Sequence, residues 1–142
     1  MKTVLKTGAW DILHRGHLNV LQIAANLGSF LVVGVGTDEY IKGYKGKKPV
    51  FPFSDRAAVI ASLRMVDAVI PYSRIDDLAL VKVFNVDIIV VDQYFGLGDS
   101  PHAKKQYETR KLMEAMGIQY VIVPRTDGIS SSYIKERINE EL

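Results

Sequence analysis

The 142-residue sequence contains no cysteine. Disulfides, thiolate catalysis and thiolate metal sites are therefore excluded. It has little net charge: 18 basic against 16 acidic residues leave only +2. That balance is too small to argue for nucleic acid as a partner. No apolar run is long enough to span a membrane. Residues 1–7 lack a signal-peptide pattern and read straight into a strand, so a cytoplasmic location is the expectation. Internal repeats, linkers and low-complexity stretches are also missing. What remains is 48% apolar and 24% charged, an ordinary globular composition. The length suits one domain over residues 1–142 with a sizeable core.

Short apolar runs alternate with amphipathic ones. The strand-like runs cover residues 3–7, 30–35, 68–71, 87–91 and 119–123. The β-branched run Phe30-Leu31-Val32-Val33-Gly34-Val35 fits a strand covered on both faces. Helical spacing covers residues 18–27, 54–65, 76–84, 103–116 and 130–139, with Ser54 and Ser130 as N-caps. Residues 37–52 read as a long loop with at most a helical turn near 38–41. Strict alternation of strand and helix implies an α/β fold: a doubly wound parallel sheet of about five strands. Ligands of such sheets sit outside the carboxyl ends of the strands. Four loops begin at that edge. They carry His14 and His17, the lysines between 42 and 48, residues 92–102, and residues 125–132.

The first of these loops is Gly8-Ala9-Trp10-Asp11-Ile12-Leu13-His14-Arg15-Gly16-His17. Gly8 and Gly16 let backbone approach a ligand closely. A helix starting near His17 aims free N–H groups and a positive dipole end at the same place. Two histidines there can donate to phosphate oxygens, and phosphates would favour their charged forms. Zinc is the competing use of such a pair, but only His102 offers itself as a further ligand. Groups of this kind suffice for nucleotidyl transfer, in which an anionic phosphate attacks the α-phosphate of a nucleoside triphosphate. Positioning and charge neutralisation supply the catalysis, and no activated nucleophile is needed.

The segment G-A-W-D-I-L-H-R-G-H resembles the G-x-F-D-x-x-H-x-G-H signature of the cytidylyltransferase-like nucleotidyltransferases. Arg125-Thr126-Asp127-Gly128-Ile129-Ser130-Ser131-Ser132 resembles R-T-x-G-I-S-T-T. That motif marks members acting on glycerol-3-phosphate, phosphocholine and phosphoethanolamine. The likeness runs through Thr37-Asp38-Glu39, Lys45, Lys47, Arg56 and residues 66–71, and the bacterial glycerol-3-phosphate branch is closest in size. It implies a Rossmann-like fold of the HxGH nucleotidyltransferase type and a homodimer. His14, His17, Lys45, Lys47 and Arg125 would then be the catalytic cations and donors. Gly8, Ala9, Trp10, Asp11 and Gly16 would surround the nucleotide from one side. Thr126, Ile129, Ser130 and Ser131 would do so from a second helix start. Asp38, Lys45, Arg56 and Tyr94 would face the second substrate. Asp11 and Asp38 are expected to act mainly as loop organisers. Mg²⁺ would travel on the nucleotide phosphates.

Three departures stand out. Ala9 lacks the hydroxyl usual at its position. Trp10 replaces phenylalanine and is expected to pack beneath the loop. Asp92-Gln93-Tyr94-Phe95 stands where glycerol-3-phosphate enzymes carry a Gly-Asp-Asp-Trp-like stretch that reads cytosine. Asp92 and Gln93 thus fall where the base is chosen, and a Gln93 amide can pair with either base edge. The loop also extends to His102, a residue most simply exposed. The first reading is transfer of CMP from CTP to a small phospho-alcohol, glycerol-3-phosphate by default. The alternative is an adenylyltransferase acting on a sugar phosphate or flavin phosphate. A nucleotide-binding module without catalysis is the third. No nucleic-acid or membrane partner is expected.

Overall fold

A computed structural model describes residues 1–141. Five strands, β1 (Thr3–Gly8), β2 (Phe30–Gly36), β3 (Ala68–Tyr72), β4 (Ile88–Val91) and β5 (Gln119–Ile122), form one parallel sheet in the order β3-β2-β1-β4-β5. The chain winds outward from β1 to β3, then returns to pair β4 with the other side of β1. Loops leaving β1 and β4 therefore diverge, and a crevice opens between them at the carboxyl edge.

The helices are α1 (Arg15–Asn26), α2 (Asp38–Lys45), α3 (Phe53–Ala61), α4 (Leu78–Val83), α5 (Pro101–Ala115) and α6 (Ser131–Glu141). Alternation along β1 and β2 sends side chains to opposite faces. Val4, Val33 and Val35 pack with Leu21 of α1 and Ile60 of α3. Leu5 and Val32 pack with Leu80 and Val81 of α4 and Met113 of α5. Both faces are covered, as the unbroken apolar runs imply. No residue of α6 is buried, and Ser131 and Lys135 tie that helix to Asp11. No helix among the described residues is long and apolar enough to cross a membrane.

Several elements differ from the sequence reading. Residues 38–45 form a helix rather than a loop. The Thr37 side chain accepts from the Tyr40 N–H at 3.2 Å, Asp38 and Glu39 occupy the first turn, and Lys42 and Lys45 the last. Caps and charges matched to the helix dipole outweigh the glycine and lysines that suggested a loop. Helix α3 starts at Phe53 with Pro52 as N-cap, and Ser54 lies inside the first turn. Helix α1 begins three residues earlier than expected because histidines cap it.

Arg56 of α3 ties these pieces together. Its side chain is fully enclosed. Nε donates to the Phe51 carbonyl, one terminal nitrogen to the Ala9 carbonyl, and the other to Asp38 Oδ1 at 2.7 Å. One guanidinium thus joins the β1–α1 loop, α2 and the segment before α3. Breaking a buried ion pair from one side costs about 3–5 kcal/mol. Arg56→Met should lose stability of that order in urea unfolding, and Arg56→Lys, which cannot fork three ways, should recover less than half of it. A loss under about 1 kcal/mol would show that the guanidinium is not the tie.

Candidate active site

A cavity of about 750 Å³ opens at the carboxyl edge, between the β1–α1 loop and the start of α6. The β1–α1 loop is shaped by Trp10 and Ile12, both non-glycine residues with positive φ, 57° and 51°. Such backbone is strained and persists only where its surroundings impose it. Here the constraint is visible. The Trp10 indole is buried beneath the loop, and its Nε1–H donates to the Gly34 carbonyl at 3.0 Å. Phenylalanine would leave that carbonyl without this donor. Gly8 is required because a Cβ there would come within 2.9 Å of the indole ring.

Asp11, between the two strained residues, is also buried. Its carboxylate accepts from the Val50 N–H at 2.8 Å and the Phe51 N–H at 3.1 Å, with the Lys135 ammonium at 3.4 Å. Burial alone would raise its pKa, but these three partners hold the carboxyl below its ordinary value. The Ser131 hydroxyl donates to the Asp11 carbonyl. Asp11 therefore organises the loop, as expected.

His14 and His17 form the N-terminal cap of α1. His14 Nδ1 accepts from the Gly16 N–H at 3.0 Å, and His17 Nδ1 accepts from the His14 N–H at 3.2 Å. The rings stack with centroids 3.8 Å apart. A backbone N–H can only donate, so both Nδ1 atoms are unprotonated and both rings carry their proton on Nε2. The site thus offers two neutral N–H donors at a helix N-terminus, where the sequence alone pointed to charged rings. Burial also lowers the pKa of His14. Burial, then His14 and nearby lysines, pushes His17 down to about 4. Gly16 is needed for the same geometry, since a Cβ there would meet the His14 ring at 2.8 Å.

Around these donors the cavity gathers Lys45, Lys47 and Arg125, with Thr126, Ile129, Ser130 and Ser131 from the last loop and the start of α6. The Ser130 hydroxyl accepts from the Tyr133 N–H, so this residue caps its helix. Thr126 accepts from Asn19 of α1. Asp92 lines the cavity with both oxygens engaged: Oδ2 receives Arg125 at 2.9 Å and Oδ1 the Tyr94 N–H.

Three expected residues lie elsewhere. Arg56 and Asp38 line neither this cavity nor a second one of about 420 Å³ behind it. Their charges are spent on each other, and the rest of the Arg56 fork on backbone. Gln93 lines neither cavity. Its Oε1 accepts from the Arg125 N–H, which ties the amide to the last loop. Tyr94 faces the second cavity, with Arg125 over its ring.

The sequence reading passed over Lys6 and Lys135. Lys6 interrupts an apolar strand, and Lys135 lies four residues after Ser131, hence on the same helix face. Both border the main cavity. His102 is not a loop residue: it lies in the first turn of α5, stacked on Tyr44 at 4.2 Å. Among the described residues no group of three or more His, Cys, Asp or Glu could hold a metal ion.

Below pH 6.5 the unfolded chain takes up a proton at His17 that the folded chain refuses until about pH 4. More protons are then bound unfolded, so stability falls as pH drops through that window. Urea unfolding of wild type and His17→Gln should differ in this slope. The wild type should lose on the order of 1–3 kcal/mol more, allowing for solvent screening. Parallel curves would show that His17 is not held neutral.

The chain has known relatives. The family model described as cytidylyltransferase-like matches residues 5–137. The glycerol-3-phosphate cytidylyltransferase of Bacillus subtilis is 34% identical over 139 residues, 97% of this chain and 98% of that protein. The bifunctional protein HldE of Citrifermentans bemidjiense is 33% identical over 96% of this chain, but the chain spans only 27% of HldE. The crystal structure of a lipopolysaccharide core biosynthesis protein from Thermoplasma volcanium superposes with a TM-score of 0.68 and 31% identity, covering 89% of this chain and 97% of that one. Fold, signature loops and a full-length relative agree, and the chain belongs to the cytidylyltransferase-like family of nucleotidyltransferases.

Proposed function

We propose that the protein transfers CMP from CTP to the phosphate of a small phosphorylated alcohol, giving a CDP-alcohol and pyrophosphate. Glycerol-3-phosphate is the first acceptor to test, because the Bacillus subtilis relative that matches over its whole length carries that name. The observation that carries the reading is the histidine cap of α1. Its two Nδ1 atoms are consumed by backbone, so two Nε2–H donors remain beside a cavity bordered by Lys45, Lys47 and Arg125. These are donors for the charge that spreads over the phosphates as the bond to pyrophosphate breaks. Mg²⁺ enters with the nucleotide, as part of the substrate. Asp11 and Asp92 are already engaged by protein donors, so the ion's ligands come chiefly from the phosphates. A homodimer working in the cytoplasm completes the proposal.

A second reading keeps the chemistry and changes the substrates to ATP and a sugar phosphate. It draws on the unusual Asp92-Gln93-Tyr94 stretch, whose Gln93 amide can pair with either base edge, and on the likeness to the Thermoplasma volcanium lipopolysaccharide core biosynthesis protein.

A pyrophosphate-release panel crossing CTP, ATP, GTP and UTP with phospho-alcohols and sugar phosphates separates the two. Release with CTP and a phospho-alcohol is expected; release with ATP and none with CTP overturns the first reading. In the active pair, His14→Ala and His17→Ala should each lower turnover about a hundredfold or more while circular dichroism still reports a folded chain. Turnover near wild type in either variant would mean the donors are misassigned.

A further inference from the structure

A second cavity of about 420 Å³ lies behind the first, between α2, α5 and the strand ends. Its wall is aromatic: Tyr44 stacks on His102, and Tyr40 meets Tyr72 edge-on at 5.3 Å. The two cavities share part of their lining, and that shared stretch carries Lys6, Lys45 and Arg125. Three cations where two cavities meet is the arrangement that joining two phosphates demands. Each phosphate enters from its own side, and like charges must be held together there.

Of these three cations, Arg125 is bound to Asp92, and Lys45 sits on α2 beyond the strand ends. Lys6 differs. It projects from the central strand β1, paired on both sides by Val33 and Val90, and enters none of the ion pairs among the described residues. Burial pushes its ammonium down to about 8, with Asp92 supporting the charge and Arg125 opposing it. A lysine half-buried in a strand, without a partner, is a cost to the fold that an anion would offset.

We propose that the second cavity receives the organic part of the phosphorylated acceptor, and that Lys6 binds the attacking phosphate where the two cavities meet. This rests on the nucleotidyl-transfer reading and adds a residue to it. An oxygen of the acceptor phosphate forms the new bond to the α-phosphorus. The bond from that phosphorus to the bridging oxygen breaks, and pyrophosphate leaves with the electron pair. Lys6 keeps its proton throughout and offsets the repulsion between the incoming phosphate and the triphosphate.

Two measurements test this separately from the reaction itself. At pH 8 a lysine with a lowered pKa is partly unprotonated and acylates ahead of ordinary lysines. Acetylation of Lys6, read by mass spectrometry, should slow at least tenfold with inorganic phosphate, glycerol-3-phosphate or a hexose phosphate, with or without Mg–CTP. Protection by Mg–CTP alone, or by none of these, overturns the proposal, whether or not the protein releases pyrophosphate. Failure of pyrophosphate release with every pair would instead count against the nucleotidyl-transfer reading. The lack of native cysteine permits the second measurement. Lys6→Cys, checked by urea unfolding, should raise the acceptor KM at least tenfold and leave the nucleotide KM within about threefold. Aminoethylation of that thiol with bromoethylamine restores an ammonium and should restore the acceptor KM, whereas carbamidomethylation should not. Equal recovery with both reagents, or a rise confined to the nucleotide KM, overturns the assignment.

Discussion

The carboxylate of Asp11 is the constraint on which the site depends. It accepts from Val50 and Phe51, faces Lys135, and its own carbonyl receives Ser131. Three segments far apart in sequence are thereby fixed to one residue: the loop after β1, the approach to α3, and α6. No residue of α6 is buried, so these bonds take a large share in holding it. The carboxylate is itself held between two residues in left-handed backbone. That backbone is stabilised from below by the Trp10 indole against Gly34 and from the side by Arg56 on the Ala9 carbonyl. The polar ties are thus nested. Removing an inner one releases the outer ones, and Trp10, itself part of the apolar core, links them to it.

The same economy links fold and chemistry at α1. A helix start needs acceptors for its free N–H groups. Serine or aspartate usually supplies them, whereas here two imidazoles do. Capping through Nδ1 decides the tautomer, and the tautomer leaves Nε2–H as the donor. The helix start therefore does not merely sit near the functional groups. It sets their protonation, and a charged ring would have to give up its capping bond.

The architecture was legible in the sequence because it depends on alternation, which is local. Five apolar runs separated by amphipathic ones leave few arrangements beyond a doubly wound parallel sheet, and that sheet is present. Residues 38–45 were misread because their helix depends on end effects, a Thr37 cap and charges at both termini, which a count of apolar periodicity overlooks. The residues brought to the cavity by the two signature stretches were legible for the same reason as the sheet: each stretch follows a strand at the carboxyl edge. Arg56 and Gln93 were not, because direction rather than position decides their part. Both follow strands or loops near the site, yet their polar atoms turn inward to backbone carbonyl or N–H groups. Lys6 escaped notice because a strand lysine reads as an interruption until its neighbours are known.

These placements share an electrostatic logic. The pKa values of Lys6, Lys45, His14 and His17 are all displaced downward, in each case with burial as the largest cause. Every one of these shifts disfavours positive charge, although the site is built largely of basic groups. The carboxylates of Asp11 and Asp92 offset this only in part, as both are tied into structural contacts. A polyanion entering the cavity reverses the sign of this imbalance: it supplies the charge that burial withholds and raises each of these pKa values together. Binding and protonation are then coupled, and the coupling grows with the number of phosphates present.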